Sequence, residues 1–91
     1  MNETQVLIGS LSNDLFRVAT LTQRGSIKGA KRFLEEAKRW GDQLEDKQIK
    51  PYIRNIVNEI RLASSHEISL ERAEKYLMYG ILLQNYSLHN R

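Results

Sequence analysis

Residues 26–44 read SIKGAKRFLEEAKRWGDQL, and this stretch decides the fold class. Ile27, Ala30, Phe33, Leu34, Ala37, Trp40, Gly41 and Leu44 recur at three- and four-residue steps, with Lys28, Arg32, Glu35, Arg39 and Asp42 opposite. At 100° per residue the first set shares one arc, so the stretch predicts an amphipathic helix with one buried face. Ser26 stands at its head, a residue type whose hydroxyl accepts from the free N–H groups of a first helical turn. Gln23-Arg24-Gly25 breaks the periodicity before it.

The same period runs outward on both sides. Leu7, Ile8, Leu11, Leu15, Val18 and Ala19 form one stripe upstream. Ile49, Tyr52, Ile53, Ile56, Val57, Ile60 and Ala63 form another downstream, with Pro51 where a missing N–H costs a helix nothing. Ser69 reads as the next N-cap, with Ile68 placed to staple the first turn. Helices are therefore expected over 3–22, 26–45, 49–64 and 69–87. Connections this short make sequential helices antiparallel neighbours. The expected fold is all-α, an up-down-up-down four-helix bundle of two helical hairpins filling residues 1–91 as one domain. The two hairpins share a pattern at an offset of 43, as in Ser26-Ile27-x-x-Ala30 and Ser69-Leu70-x-x-Ala73. Any two capped amphipathic helices share such a pattern, so it is not read as a repeat.

Composition fits one small core. The chain has 91 residues, 41% hydrophobic and 27% charged, with no cysteine and one proline. That balance argues against disorder, and the lack of cysteine removes disulfides and thiolate metal sites from consideration. Val6-Leu7-Ile8 is too short an apolar run for a signal peptide. Tyr76 to Leu83, eight residues, falls far below the roughly 18 that span a bilayer. The expectation is a cytoplasmic protein without a membrane segment.

Net charge is +3, and the excess is local to residues 24–39. Lys28, Lys31, Arg32 and Arg39 on the outer face of the second helix are the candidate nucleic-acid contacts, because phosphate binding asks for such a positive stripe. Glu35 interrupts it and is placed to pair with Lys31 and Arg39, and Glu36 with Arg32. A self-neutralising face is the preferred reading.

Material for catalysis is sparse: two histidines, no cysteine nucleophile and no glycine-rich phosphate loop. Arg61-x-x-x-x-His66 resembles the Arg-x(4–6)-His signature of the HEPN ribonuclease superfamily, itself helical. The resemblance implies a helical fold acting on RNA, with Arg61 stabilising negative charge on phosphate and His66 shuttling a proton. Asp42-x-x-Glu45 and Glu71-x-x-Glu74 are similar to the acidic pairs that hold Mg²⁺ in all-α nucleotide pyrophosphohydrolases. Asp42 lies on the outward, basic face, however, where Lys38 and Arg39 are its expected partners. No catalytic residue, metal or cofactor is expected.

The least generic segment is the fourth helix. Leu70, Ala73, Leu77, Gly80, Ile81 and Leu88 supply one face, expected to pack the bundle. Tyr76, Tyr79, Leu83 and Tyr86 supply a second, and from 76 to 83 the helix is apolar nearly all round, which implies burial on several sides. The first helix adds a small-residue face of Gly9, Ser12, Phe16 and Thr20. The sequence therefore points to a non-catalytic interaction module. Phe16, Tyr76, Tyr79, Leu83 and Tyr86 are its expected interface, and its partner a second copy or another protein.

Overall fold

A computed structural model describes residues 2–89. It comprises α1 (Glu3–Gln23), α2 (Ile27–Gln43), α3 (Pro51–Leu62), a 3₁₀ turn (Ser65–Glu67) and α4 (Leu70–His89). No strand occurs among the described residues. The four helices pack as a bundle, as the periodicity predicts.

The helix ends follow local chemistry. Asn2 and Gln5 form a capping box over α1: the Gln5 N–H donates to Asn2 Oδ1 at 2.8 Å and the Asn2 N–H to Gln5 Oε1 at 3.1 Å. Gly25, at φ 81°, ends α1. The Gly25 N–H donates to the Thr22 carbonyl and the Ser26 N–H to the Leu21 carbonyl, closing a Schellman motif that a side chain at Gly25 would strain. Ser26 holds the cap position of α2, but its hydroxyl makes no capping bond. Ser69 does cap: the Arg72 N–H donates to its Oγ at 3.1 Å. The α2–α3 connection is held by Arg54, whose guanidinium donates to the carbonyls of Leu44 (3.0 Å) and Lys47 (2.6 Å). Those bonds satisfy orphan acceptors past the end of α2 and complement its dipole.

α1 is the central helix, with its widest contacts to α4 and α2, while α3 leans chiefly on α2. The core comprises Leu7, Ile8, Leu11, Leu15 and Val18 of α1, Leu34 of α2, and Ile53, Val57 and Ile60 of α3, with α4 contributing from one side. The stripes expected on the first three helices are the buried ones, except that Ile27 and Tyr52 lie at the rim.

α1 and α4 run antiparallel in close approach. Ser12 Oγ donates to the Gly80 carbonyl at 2.7 Å, and Ser87 Oγ donates to the Gln5 carbonyl at 2.9 Å. Gly9 faces Ser87, and Phe16 lies over Gly80. Gly9, Ser12 and Phe16 of the small-residue face of α1, expected to be an outer surface, form the surface that receives α4, while Thr20 stays exposed.

Candidate protein-interaction surface

The phase of α4 differs from the expectation. Its buried residues are Ala73, Tyr76, Gly80, Leu83 and Ser87. Tyr76 is 1% exposed and Leu83 fully buried, so neither is an outward contact. Tyr79 and Tyr86 are half-buried against the core: Tyr79 Oη donates to Glu59 Oε1 at 2.9 Å, and the Tyr86 ring meets Tyr52 edge-on at 6.4 Å. Phe16 is half-buried on Gly80. Of the five residues expected to form the interface, Tyr76 and Leu83 are therefore internal packing, while Phe16, Tyr79 and Tyr86 divide their surface between internal contact and solvent. The cause is steric. Ala73, Gly80 and Ser87, seven apart, form a row without bulk that lets α4 approach the matching Gly9 and Ser12 of α1. The large rings then fill the wider space toward α3.

Of the residues assigned to the core of α4, Ala73 and Gly80 are buried, but the bulky ones are outside. Leu70 is 65% exposed, Leu77 40%, Ile81 47% and Leu88 49%, with Met78 and Leu82 also exposed. On the helical wheel Leu70, Leu77, Ile81 and Leu88 share an arc of about 40°, with Glu74 and Gln84 bordering it. Val6 of α1 lies beside Leu88 along a groove of ≈ 290 Å³ floored by Gly9, Ser12 and Ser87. Of the ten large hydrophobic residues that stand exposed among the described residues, six lie on this one helix. Scattered apolar residues on a surface mean little, whereas a contiguous apolar face marks an association site. The sequence signal for this face is the seven- and four-residue spacing of 70, 77, 81 and 88, read together with the small-residue row that marks the neighbouring, buried side.

The basic face of α2 is more open than expected. Glu35 pairs with Lys38 at 3.9 Å, not with Lys31 or Arg39. Lys28, Arg32 and Arg39 are exposed and Lys31 partly so, and none of the four has an ion-pair partner among the described residues. Glu36 instead stands near Asp14, which is 2% exposed. The Trp40 Nε1–H donates to Asp14 Oδ2 at 2.9 Å and Arg17 pairs with Oδ1 at 3.3 Å, while the Arg17 guanidinium stacks 5.3 Å from the Phe33 ring centre. Loss of solvent raises the Asp14 pKa above its ordinary value, against the pull of Trp40 and Arg17. Trp40, Arg17 and Phe33 thereby stitch α1 to α2.

Arg61 is committed to structure. Its Nε donates to Asp42 Oδ1 at 2.9 Å and its Nη2 lies 3.5 Å from Glu45 Oε2. Asp42, expected to partner Lys38 and Arg39, and Glu45 instead serve Arg61 across the α2–α3 contact. His66 sits exposed on the 3₁₀ turn, and no hydrogen bond or ion pair joins it to Arg61 among the described residues. Glu71 and Glu74 are exposed on the first turns of α4. No group of three or more metal-ligating side chains converges among the described residues, and none of their helices is long and apolar enough to cross a membrane.

A comparison with protein-family models, curated proteins and solved structures finds no match for this chain.

Proposed function

We propose that this protein is a non-catalytic helical module that works by self-association through the outer face of α4, with Val6 of α1 at its edge. The observation that carries the reading is the exposed arc of Leu70, Leu77, Ile81 and Leu88. Together with Val6, Met78 and Leu82, it amounts to on the order of 600 Å² of side-chain surface per chain, at the upper end of what a monomer leaves open. A standard interface buries roughly 800 Å² on each partner, so the face suffices for a modest dimer once its polar border is included. As part of the same proposal the module acts in the cytoplasm, where a cysteine-free bundle loses nothing to reducing conditions.

Light scattering on the purified chain between about 1 and 100 µM tests the reading, because contacts at the small end of the interface range are weak and transient. The expected mass rises from the 10.6 kDa of one chain toward twice that value. Leu77→Lys with Ile81→Lys should return it to one chain with helix content unchanged. A wild-type chain that stays at 10.6 kDa throughout, or a double variant that still assembles, overturns the reading.

One observation favours a second reading. The unpaired Lys28, Lys31, Arg32 and Arg39 present a cationic strip that phosphate could occupy. It predicts salt-sensitive binding to a single- or double-stranded oligonucleotide, lost in Lys28→Glu with Arg32→Glu. Absence of any retardation at low salt disposes of it.

A further inference from the structure

Resting on that association reading, we infer that the partner seated on α4 is a second copy of this chain whose own α4 lies antiparallel, with the two-fold axis level with Tyr79. Six outward positions of α4 carry the inference: Leu70, Glu74, Leu77, Ile81, Gln84 and Leu88. They alternate by four and three residues, the spacing of a coiled-coil seam, and all six are exposed. The helix thus has two seams. The row of Ala73, Gly80 and Ser87 is taken up by α1, and the second faces solvent in the single chain.

What the seam fits is set by its two polar members. In an antiparallel pair, each position faces the one equally far on the other side of the axis. An axis at Tyr79 sets Leu70 against Leu88, Leu77 against Ile81 and Glu74 against Gln84. Every apolar side chain then meets an apolar one, and the Gln84 amide donates to the Glu74 carboxylate of the other copy, twice by symmetry. Met78, on the open flank, meets its own copy near the axis.

The alternatives lack this match. Parallel pairing in register sets Glu74 on Glu74, two like charges inside a seam. Sliding the antiparallel pair by one heptad sets Glu74 on Leu77 or Ile81 on Gln84, leaving a polar group without its partner. Mismatches of this kind are how natural seams fix orientation and register. The antiparallel arrangement centred on Tyr79 is the one in which all six positions agree.

Two measurements on the full chain test the inference, after light scattering has established the mass. Gln84→Lys places a lysine opposite Glu74 at both ends and should tighten the dimer, while Gln84→Glu should weaken it, each by up to about tenfold for two exposed pairs. In a parallel dimer Gln84→Lys sets lysine against lysine, and the sign reverses. The absence of cysteine makes a single spin label clean: attached through Glu71→Cys, it should report a distance of roughly 25 Å, from eight residues on either side of the axis at about 1.5 Å each. A dimer with a distance near 10 Å, or one weakened by Gln84→Lys, overturns the antiparallel arrangement and leaves self-association standing. A dimer indifferent to both Gln84 variants overturns the α4 seam as its contact. A chain that remains single overturns both the inference and the reading on which it rests.

Discussion

Phe16 of α1 lies so close over Gly80 of α4 that a Cβ built on the glycine would stand 2.9 Å from the ring. The glycine therefore sets the distance between the two helices that share the widest contact. The same close approach brings Ser12 Oγ within 2.7 Å of the Gly80 carbonyl, to which it donates. Gly80→Ala gains helix propensity worth up to about 1 kcal/mol but drives a methyl into an aromatic ring, an overpacking that costs about 1–3 kcal/mol. Net destabilisation of about 1–2 kcal/mol is expected in urea titration. Combined with Phe16→Leu, the losses should be less than additive, because the smaller side chain vacates the contested space. Strict additivity would mean that the two residues do not compete for it.

Tyr76 and Tyr79, three residues apart on α4, should respond oppositely to loss of the hydroxyl. Tyr76 is buried, and its hydroxyl has no hydrogen-bond partner among the described residues. Loss of solvent raises its pKa, since ionisation there would be unfavourable. Tyr79 donates to Glu59, which Lys75 also holds at 2.9 Å. Tyr76→Phe should leave stability unchanged or raised by about 1 kcal/mol, and Tyr79→Phe should lower it by about 1.5–3 kcal/mol, the net worth of a hydrogen bond to a charged group. Thermal melts of the two single variants check the contrast; equal losses would contradict it.

Two carboxylates should give opposite pH signatures. Burial raises Asp14 in the fold, so its contribution is greatest below the ordinary pKa of 3.8 and is lost as pH rises through the raised folded value. Burial also pushes Glu59 upward, but the Lys75 and Tyr79 hydrogen bonds outweigh it and hold the group below its ordinary 4.5. Its contribution is therefore present above 4.5 and lost as pH falls through the lowered value. Denaturation from pH 3 to 7 should show wild type gaining on Asp14→Asn with acidification and losing against Glu59→Gln. A common sign for both differences would contradict the assignment.

α2 and α3 were legible because each carries a single apolar arc, so period and caps leave one orientation; the apolar stripe of α1 was legible too, but not the second buried face that receives α4. The legible signals included the breaks at Gly25, Pro51 and Ser69. The capping box of Asn2 and Gln5 and the Arg54 clamp on the α2–α3 connection depend on side-chain reach, which periodicity does not encode. α4 was illegible in phase. Its Leu77 corresponds to the buried Leu34 at the 43-residue offset, which argued for burial, yet Leu77 is exposed. Two apolar arcs satisfy the wheel equally well, and what decides between them is how near a neighbour can approach. That information sits in the smallest side chains of α1 and α4 together, in neither helix alone. The same inversion put Tyr76 of the expected tyrosine interface into the core and left Tyr79 and Tyr86 half-buried at its edge.

The phase of α4 is open to direct test by adjacent residues with opposite fates. Leu82 is exposed and Leu83 fully buried. Leu83→Ala removes a side chain from the space between α4 and the core and should cost about 2–5 kcal/mol, whereas Leu82→Ala should stay within about 0.5 kcal/mol. Charge sharpens the comparison. Tyr76→Glu or Leu83→Glu buries an unpaired carboxylate and should abolish the cooperative helical melt, because a small domain has only about 5–15 kcal/mol to lose. Ile81→Glu puts its charge in water and should leave the melt of the single chain intact. Circular dichroism melts of the five variants decide the point. If Ile81→Glu unfolds the chain and Leu83→Glu does not, α4 is rotated from the orientation described, and the association face moves with it.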